Sequence, residues 1–366
     1  MFSPKSTSSS MWARQVIITY TVVILWPAAC GETRVKLPAG GVMPAVIGFG
    51  DSIIDQGMNN YIPTVVKCNF PPYGADFMGK KPTGRFTNGN TPIDLVADEL
   101  GIKELVPAYL DPNLQPGDLK TGVSFASGGT GYDPLTSQTM SVVPMSAQLD
   151  YFKEYLGKLK AAYGENETKF ITDNSLFLVV AGSNDIANTY FTVGARRIQY
   201  DVNSYTDLMV GKASSFIREL YGMGARRIGV FSQVPVGCMP AERTLAGGGV
   251  GCAEKYNEAS KLANSKFQAE IESLSITLPD ATLVLLDLYN PLLQVIQNPA
   301  QYGLEVADKG CCGTGNLEVA ILCNQLLPTC EDHEKYLFWD SFHPTEKVYR
   351  ILVKQLLPKY LPQFFK

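Results

Sequence analysis

The chain has 366 residues, of which 45% are hydrophobic and 18% are charged, so it can bury a sizeable core and is not disordered along its whole length. Its formal net charge is −4, and no block rich in lysine or arginine stands out, which argues against a nucleic-acid partner. We find neither an internal repeat nor a clear linker, and we therefore expect one catalytic domain after any leader.

The N-terminal segment has the pattern of a secretory signal peptide. Lys5 and Arg14 give it positive charge, residues 16–29 form an apolar core, and small residues suit cleavage after Cys30 or Gly31. A membrane anchor is the alternative. The apolar run is short for a bilayer, however, and no stop-transfer cluster follows it. We therefore expect an exported protein without a stable membrane anchor.

On this interpretation residues 1–31 are removed, and residues 32–366 form a single domain. Cysteines of an exported chain are expected to form disulfides, and none of the eight shows the C-x-x-C spacing of a zinc ribbon or a redox site. The sequon at 166–168 predicts a glycosylated surface loop. The local disulfide candidates, whose connectivity stays open, are Cys238 with Cys252, and Cys311 and Cys312 with Cys323 or Cys330.

The first strand is followed by a run that suits a nucleophile. Residues 45–49 are apolar, as in a buried parallel strand, and Gly50-Asp51-Ser52 comes directly after them. Ligands of open α/β sheets bind just beyond the carboxyl ends of the strands, so Ser52 would stand where a nucleophile meets a substrate. The alternative is that Ser52 only caps the next helix, since serine is a preferred N-cap.

Strands and helices alternate along the rest of the chain. This alternation is typical of βαβ units, and it predicts an α/β fold with helices on both faces of a parallel sheet. Residues 59–89 and 303–330 are rich in breakers and are predicted to be loops. Further strands are predicted at 121–126, 176–181, 227–231 and 282–287, and helices at 91–101, 148–160, 201–221, 252–274, 288–296 and 346–356.

Two further strand ends carry groups that suit an anion or an oxyanion. The strand at 121–126 runs into Ser127-Gly128-Gly129-Thr130-Gly131, whose glycines let backbone N–H groups face a ligand. A tight turn explains the same glycines equally well. The strand at 176–181 ends at Gly182-Ser183-Asn184-Asp185, where Asn184 either donates its amide into a site or caps the following helix.

A serine hydroxyl becomes a nucleophile when a base, most often histidine, accepts its proton. His333 lies in a charged run that indicates a solvated face, whereas His343 follows Asp340 by three residues. A carboxylate so placed can orient the imidazole as the third member of a triad does, although a purely structural pair is the alternative. H-E-x-x-H, G-x-S-x-G and complete G-x-G-x-x-G motifs are absent, so the sequence indicates neither a metal nor a dinucleotide.

Four blocks in order resemble the GDSL, or SGNH, esterase/lipase family. They are Gly50-Asp51-Ser52, the glycine block at Gly128, Gly182-Ser183-Asn184-Asp185, and Asp340-Ser341-Phe342-His343-Pro344. Runs at 67–74, 83–86, 235–240 and 310–315 resemble the secreted plant branch, and most of all its extracellular-lipase group; the match covers about 45–356. One departure is Met58, where plant members usually have asparagine, and it concerns substrate contacts in the loop after the nucleophile.

The resemblance implies a three-layer α/β/α sandwich on a roughly five-stranded parallel sheet, the flavodoxin-like SGNH hydrolase fold. Ser52 would be the nucleophile, His343 the general base and acid, and Asp340 the residue that orients it. The oxyanion donors would be the backbone N–H of Ser52, that of Gly128 with Gly129 as the alternative, and the side-chain amide of Asn184. No metal or organic cofactor is implied.

The implied function is that of a secreted serine esterase or lipase of the apoplast or cell wall. Such an enzyme hydrolyses carboxylic (acyl) esters through an acyl-enzyme, and its partner is an ester or lipid substrate. Two alternatives stay open: an acyltransferase that uses an alcohol in place of water, and a non-catalytic binding protein on the same scaffold. The choice of ester depends on the loops at 59–89 and 131–144, and the sequence predicts no oligomeric state.

Overall fold

The computed structural model describes residues 1–4 and 35–365 of the chain. The predicted signal peptide, including Cys30 and both proposed cleavage points, lies outside the described residues except for its first four. Residues 35–365 belong to one compact unit. Between residues 35 and 365, and in the four N-terminal residues, we find no helix that is both long enough and apolar enough to cross a bilayer.

Four parallel strands form the central sheet, in the order β1-β2-β3-β4. The first residue of each strand pairs with the first residue of its neighbour, so the carboxyl ends of all four strands lie along one edge. Nearly all strand residues are buried, as expected where helices cover both faces. All four agree with their predicted ranges to within one residue: β1 is Val46–Gly50, β2 is Leu176–Val180, β3 is Arg227–Phe231 and β4 is Thr282–Leu286.

The strand predicted at 121–126 is reduced to an extended segment that runs beside β1. Ser124 bridges to Gly48, and the N–H of Phe125 donates to the Gly48 carbonyl at 2.8 Å. The Gly50 N–H, which would make the next bond between these segments, donates instead to the side-chain amide oxygen of Gln148 at 2.7 Å. A side chain from a helix thus replaces the backbone partner, and the sheet has four strands and one bridged edge segment.

Helices cover both faces of the sheet and make the predicted three-layer α/β/α sandwich. On one face Phe49 of β1 packs against Phe152 and Phe216, from the helices Met145–Asn174 and Val202–Gly222. The helices Pro92–Glu99 and Glu346–Tyr360 pack together on the other face. The helices are α1 Pro92–Glu99, α2 Pro116–Thr121, α3 Pro134–Met140, α4 Met145–Asn174, α5 Val202–Gly222, α6 Pro240–Ala246, α7 Glu254–Thr277, α8 Tyr289–Gln297 and α9 Glu346–Tyr360.

Three short helices, α2, α3 and α6, were not predicted from the sequence. Each begins at a proline, which fits a first helical turn, but each is too short to show a helical period. Helix α4 is longer than its predicted range and is interrupted at Gly164, where the backbone leaves the helical region. Asn166 of the sequon is exposed just beyond this interruption, within α4 and not in the surface loop that was predicted; its glycosylation stays a prediction.

The region predicted as a loop at 303–330 contains a short strand. β5, Val306–Gly310, pairs in parallel with β6, Tyr336–Phe338, and makes a second, two-stranded sheet. Three disulfides fall among the predicted local candidates and resolve their pairing: Cys238–Cys252, Cys311–Cys330 and Cys312–Cys323. Among the described residues Cys68 is the free cysteine, and it is buried.

Candidate active site

Three side chains that are far apart in sequence form one hydrogen-bonded chain at the carboxyl edge of the sheet. The Oγ atom of Ser52 lies 2.7 Å from Nε2 of His343. The other ring nitrogen, Nδ1, lies 2.8 Å from Oδ2 and 2.9 Å from Oδ1 of Asp340. His343 is 5% exposed and Asp340 is fully buried. The serine hydroxyl therefore faces a base whose far side is held by a carboxylate.

The spacing of Asp340 and His343 has a local cause. After β6 the chain folds back on itself: the N–H of Trp339 donates to the His343 carbonyl at 2.7 Å, and Phe338 bridges to Pro344. Inside this turn Oδ1 of Asp340 accepts the backbone N–H of His343 at 2.7 Å. Aspartate commonly closes turns in this way, and the same carboxylate then reaches the imidazole of the third residue along.

Tyr73, which sequence reasoning missed, holds the other oxygen of Asp340. Its hydroxyl donates to Oδ2 at 2.7 Å and accepts the N–H of Ala320 at 2.8 Å. Burial, and next the charge of Asp340, raise the pKa of Tyr73 well above its usual range, so the hydroxyl stays protonated and donates. Tyr73 thus fixes the orientation of the carboxylate and ties it to the loop that contains Ala320.

The backbone before Ser52 turns sharply at Gly50. Its φ of 130° lies in a region that only glycine occupies easily, and a Cβ at this position would stand 1.8 Å from the Val180 carbonyl oxygen. The side chain of Gln148 clamps the same residue, because its amide accepts the Gly50 N–H and donates to the Gly50 carbonyl at 2.9 Å. Gln148 was predicted only as part of an amphipathic helix.

The candidate oxyanion donors differ in whether their N–H groups are already used. The N–H of Gly128 donates to Oδ2 of Asp55 at 2.7 Å, so it is committed within the protein. Gly129 lines the cleft beside Ser52 with a φ of 90°. Over residues 35–365 we find no hydrogen-bond acceptor for the N–H of either Gly129 or Ser52. These two donors are therefore available to a ligand.

Asn184 lines the same cleft and is held in place by its neighbours. Its amide nitrogen donates to the Thr130 carbonyl at 2.9 Å, and its amide oxygen accepts from Asn188 at 3.2 Å. A side-chain amide carries two N–H donors, so one of them is left for the cleft. Asn188 belongs to the π-helical turn Asp185–Thr192, and such turns are frequent at functional sites.

A cleft of about 170 Å³ lies in front of Ser52. Both loops that were expected to shape it contribute: Val66 and Phe86 come from 59–89, and Met140 comes from 131–144. The walls are mostly apolar and thus suit the aliphatic part of an ester. Met58, the departure from the plant pattern, is fully buried in the core and does not line the cleft.

His333 and Arg85 have structural roles. His333 is half-buried and not on a freely solvated face. Its Nδ1 lies 2.7 Å from Oδ2 of Asp76. Its ring lies within 4.8 Å of the sulfurs of Cys311 and Cys330, but these form a disulfide and offer no thiolate to a metal. Arg85 makes two hydrogen bonds to buried Asp94, at 2.8 and 2.9 Å, and braces its loop.

Asp51, which precedes Ser52, is a buried carboxyl group with a raised pKa. Burial raises this pKa to about 7, and the hydrogen bond from the Ile53 N–H at 3.1 Å is the largest effect that lowers it. An aspartate in an unfolded chain has a pKa of about 3.9. Between these two values the folded chain holds a proton that the unfolded chain has released. Raising the pH through this window therefore lowers the free energy of unfolding.

We expect Asp51→Asn to remove this part of the pH dependence, since the amide oxygen can still accept the Ile53 N–H. The variant should gain stability relative to the wild type as pH rises from 4 to 7, by up to about 1.4 kcal/mol per pH unit. Urea unfolding across that range measures the difference. Asp308→Asn, at an exposed aspartate, is the control. A difference between Asp51→Asn and wild type that does not change with pH would contradict the prediction.

Comparison with known proteins gives one consistent result. The sequence profile of the GDSL-like Lipase/Acylhydrolase family matches residues 46–356. The chain is 53% identical over 358 residues to GDSL esterase/lipase EXL3 of Arabidopsis thaliana, covering 97% of each chain. It is 53% identical to GDSL esterase/lipase At5g42170 of the same plant, covering 90% of this chain and 89% of that protein. It is 50% identical to GDSL esterase/lipase EXL2, covering 89% and 90%.

Proposed function

The chain belongs to the GDSL-like lipase/acylhydrolase family, and from that premise we propose that it is a secreted serine esterase that hydrolyses acyl esters through a covalent acyl-enzyme. The observation that carries this proposal is the 2.7 Å separation of Ser52 Oγ and His343 Nε2, with Asp340 on the opposite ring nitrogen. The relatives are named as esterases or lipases, which favours an ester hydrolase over a protein that only binds esters.

The first half of the reaction forms the acyl-enzyme. Ser52 Oγ attacks the ester carbonyl carbon while His343 Nε2 accepts the hydroxyl proton. Asp340 holds the ring in the tautomer whose Nε2 is unprotonated, and it stabilises the imidazolium that forms. The C–O bond to the alcohol then breaks, and His343 returns its proton to the departing oxygen.

In the second half water takes the place of the alcohol. His343 removes a proton from the water, the hydroxide oxygen bonds to the acyl carbon, and the Ser52 ester bond breaks. The carboxylic acid leaves, and Ser52 regains its proton from His343. The same three groups therefore act twice, and no other reactant than ester and water is needed.

The negative oxygen of both tetrahedral intermediates needs donors that are already in place. We assign these as the N–H groups of Ser52 and Gly129 and the free N–H of the Asn184 amide. Gly129 replaces Gly128, the first choice from the sequence, because the Gly128 N–H is bound to Asp55.

Asn184→Ala should lower kcat for a short p-nitrophenyl ester by roughly 10²- to 10³-fold, since one oxyanion donor is lost. KM should change little, because the donor meets its charge only in the transition state. Asn188→Ala, which removes a partner of Asn184, should cause a smaller loss. A variant at Asn184 with normal kcat and a raised KM would instead place this residue in ground-state binding.

Export is supported by the N-terminal leader pattern and by the three disulfides, since such bonds persist in oxidising compartments. Expression in plant cells, followed by N-terminal sequencing of the protein from the apoplastic fluid, tests both secretion and the cleavage point. A full-length chain retained in the cells would contradict this part of the proposal.

A further inference from the structure

Six large aliphatic side chains are exposed to solvent in segments that also contribute residues to the catalytic cleft. They come from two segments, 65–66 and 311–330. We call them the aliphatic rim. Its members, with their exposed fractions, are Val65 at 70%, Leu317 at 43%, Ile321 at 56%, Leu322 at 56%, Leu326 at 87% and Leu327 at 37%. Scattered exposed leucines need no explanation, but several grouped in one short loop indicate an interaction site.

Two members of the rim adjoin, in sequence, residues that line the cleft. Val66 lines the cleft and its neighbour Val65 is exposed; likewise Val319 and Ala320 line the cleft and the next residue, Ile321, is exposed. Val66 and Val319 pack against the same buried cluster, which also contains Tyr73. Both segments therefore border the cleft that contains Ser52.

The loop at 311–330 is held rigidly in this exposed arrangement. Two disulfides close it, Cys311–Cys330 and Cys312–Cys323. The carboxylate of Glu318 accepts the N–H groups of Thr314, Asn316 and Leu317 at 2.9 to 3.1 Å. These bonds brace the backbone of the loop in the arrangement that exposes its leucines. Their exposure is a property of the native structure, and little entropy is lost when the loop meets a partner.

The charges of the loop restrict the partner. Residues 311–330 contain no lysine and no arginine, and their one acidic side chain, Glu318, is bound to backbone N–H groups. Anionic lipid surfaces attract clusters of basic side chains, and this loop has none. The residues that follow the loop include Glu331, Asp332 and Glu334, which repel an anionic surface, and the ammonium of Lys67 beside Val66 donates to the Asn60 carbonyl. The rim therefore suits a surface that carries no net charge.

We propose that the aliphatic rim docks the enzyme onto the surface of a neutral or zwitterionic lipid phase, so that esters enter the cleft from that phase. This inference rests on the proposed function, because it assigns the phase from which the substrate is drawn. Binding to such an interface grows with the apolar area inserted. Truncating a well-exposed leucine of the rim should therefore weaken partition by about tenfold.

The test measures sedimentation of the Ser52→Ala protein with phosphatidylcholine vesicles, so that binding is read without turnover. Adding Leu326→Ser should lower the partition coefficient about tenfold, and Leu322→Ser together with Leu326→Ser about a hundredfold. The matched control is Ile276→Ser. The exposed fraction of Ile276, 84%, is similar to that of Leu326. Ile276, however, lies near the end of α7 just before β4, at the opposite edge of the sheet from the cleft.

Hydrolysis of a soluble short ester by the Leu322→Ser/Leu326→Ser variant, with Ser52 intact, separates this inference from the proposed function. Turnover of the soluble ester should stay normal while turnover of emulsified long-chain ester falls. Failure of the parent protein to bind the vesicles, or an equal loss in Ile276→Ser, would overturn the docking surface and leave the esterase intact. Concentration-dependent dimers that the rim variants abolish would assign the rim to a second copy of the chain instead.

Discussion

Ser52→Ala should lower kcat for a short p-nitrophenyl ester by roughly 10⁴- to 10⁶-fold, the scale of loss when a serine hydrolase loses its nucleophile. The reason is that no other hydroxyl replaces it: Ser183, the other serine that lines the cleft, contacts Gln233 at 3.4 Å and not a histidine. Among the described residues the hydroxyl of Ser52 makes one hydrogen bond, to His343. We therefore expect a change of under about 1 kcal/mol in the free energy of unfolding.

A fluorophosphonate probe and thermal unfolding together measure this result. The wild type and Ser183→Ala should both be labelled, and Ser52→Ala should not be, although all three unfold at similar temperatures. Labelling or turnover retained by a folded Ser52→Ala protein would remove Ser52 from its assigned role. A folded wild type that is neither labelled nor active would favour the non-catalytic binding protein.

The strand ends and the histidine motif could be predicted because each is a local pattern. An apolar run that stops at Gly50 predicts a buried strand and a sharp turn, and three residues are few enough for Asp340 to reach His343. The chain has two histidines, so the choice of a base was narrow. The structure brings these residues together as the sequence led us to expect, and their catalytic roles stay predictions until the variants are measured.

What the sequence could not predict depends on partners that are distant along the chain. Tyr73 meets Asp340 across 267 positions, and nothing in a proline-rich loop marks one tyrosine as a hydrogen-bond donor. Gly128 and Gly129 look alike in sequence; what separates them is the carboxylate of Asp55, which occupies one N–H and not the other. The strand at 121–126 had the right local pattern, but the side chain of Gln148 interrupts its ladder.

The short sheet was missed for a related reason. β5, Val306–Gly310, contains an aspartate and a lysine and has two exposed residues, so it shows no hydrophobic period. Its position is fixed by pairing with β6 and by the disulfide loop that follows, which are both properties of the folded chain. This weak local signal nevertheless matters for the site, because β6 leads directly into Asp340.

Asp340→Asn should lower kcat/KM by about 10⁴-fold, although asparagine has the same size and shape as aspartate. Oδ1 of Asp340 accepts two backbone N–H groups, from Phe342 at 2.9 Å and His343 at 2.7 Å, so an asparagine must keep its oxygen there. Its NH₂ group then occupies the position of Oδ2, beside Nδ1 of His343. Nδ1 then keeps only Oδ1 as an acceptor, 2.9 Å away and already bound to two backbone N–H groups, so the tautomer with the proton on Nε2 is favoured. In that tautomer His343 cannot accept the proton of Ser52.

The alternative amide orientation does not rescue the variant, because the NH₂ group would then face two backbone donors at Oδ1. Two histidines make the tautomer measurable by ¹⁵N NMR: the Nδ1-protonated signal of His343 should become Nε2-protonated, and His333→Asn assigns the resonances. Asp332→Asn, the same change at an exposed aspartate, should leave both rate and tautomer unaltered. If Asp340 acts by setting the tautomer of His343, the rate and the tautomer must change together. An Asp340→Asn enzyme that keeps its rate would show that the carboxylate acts only as a structural acceptor.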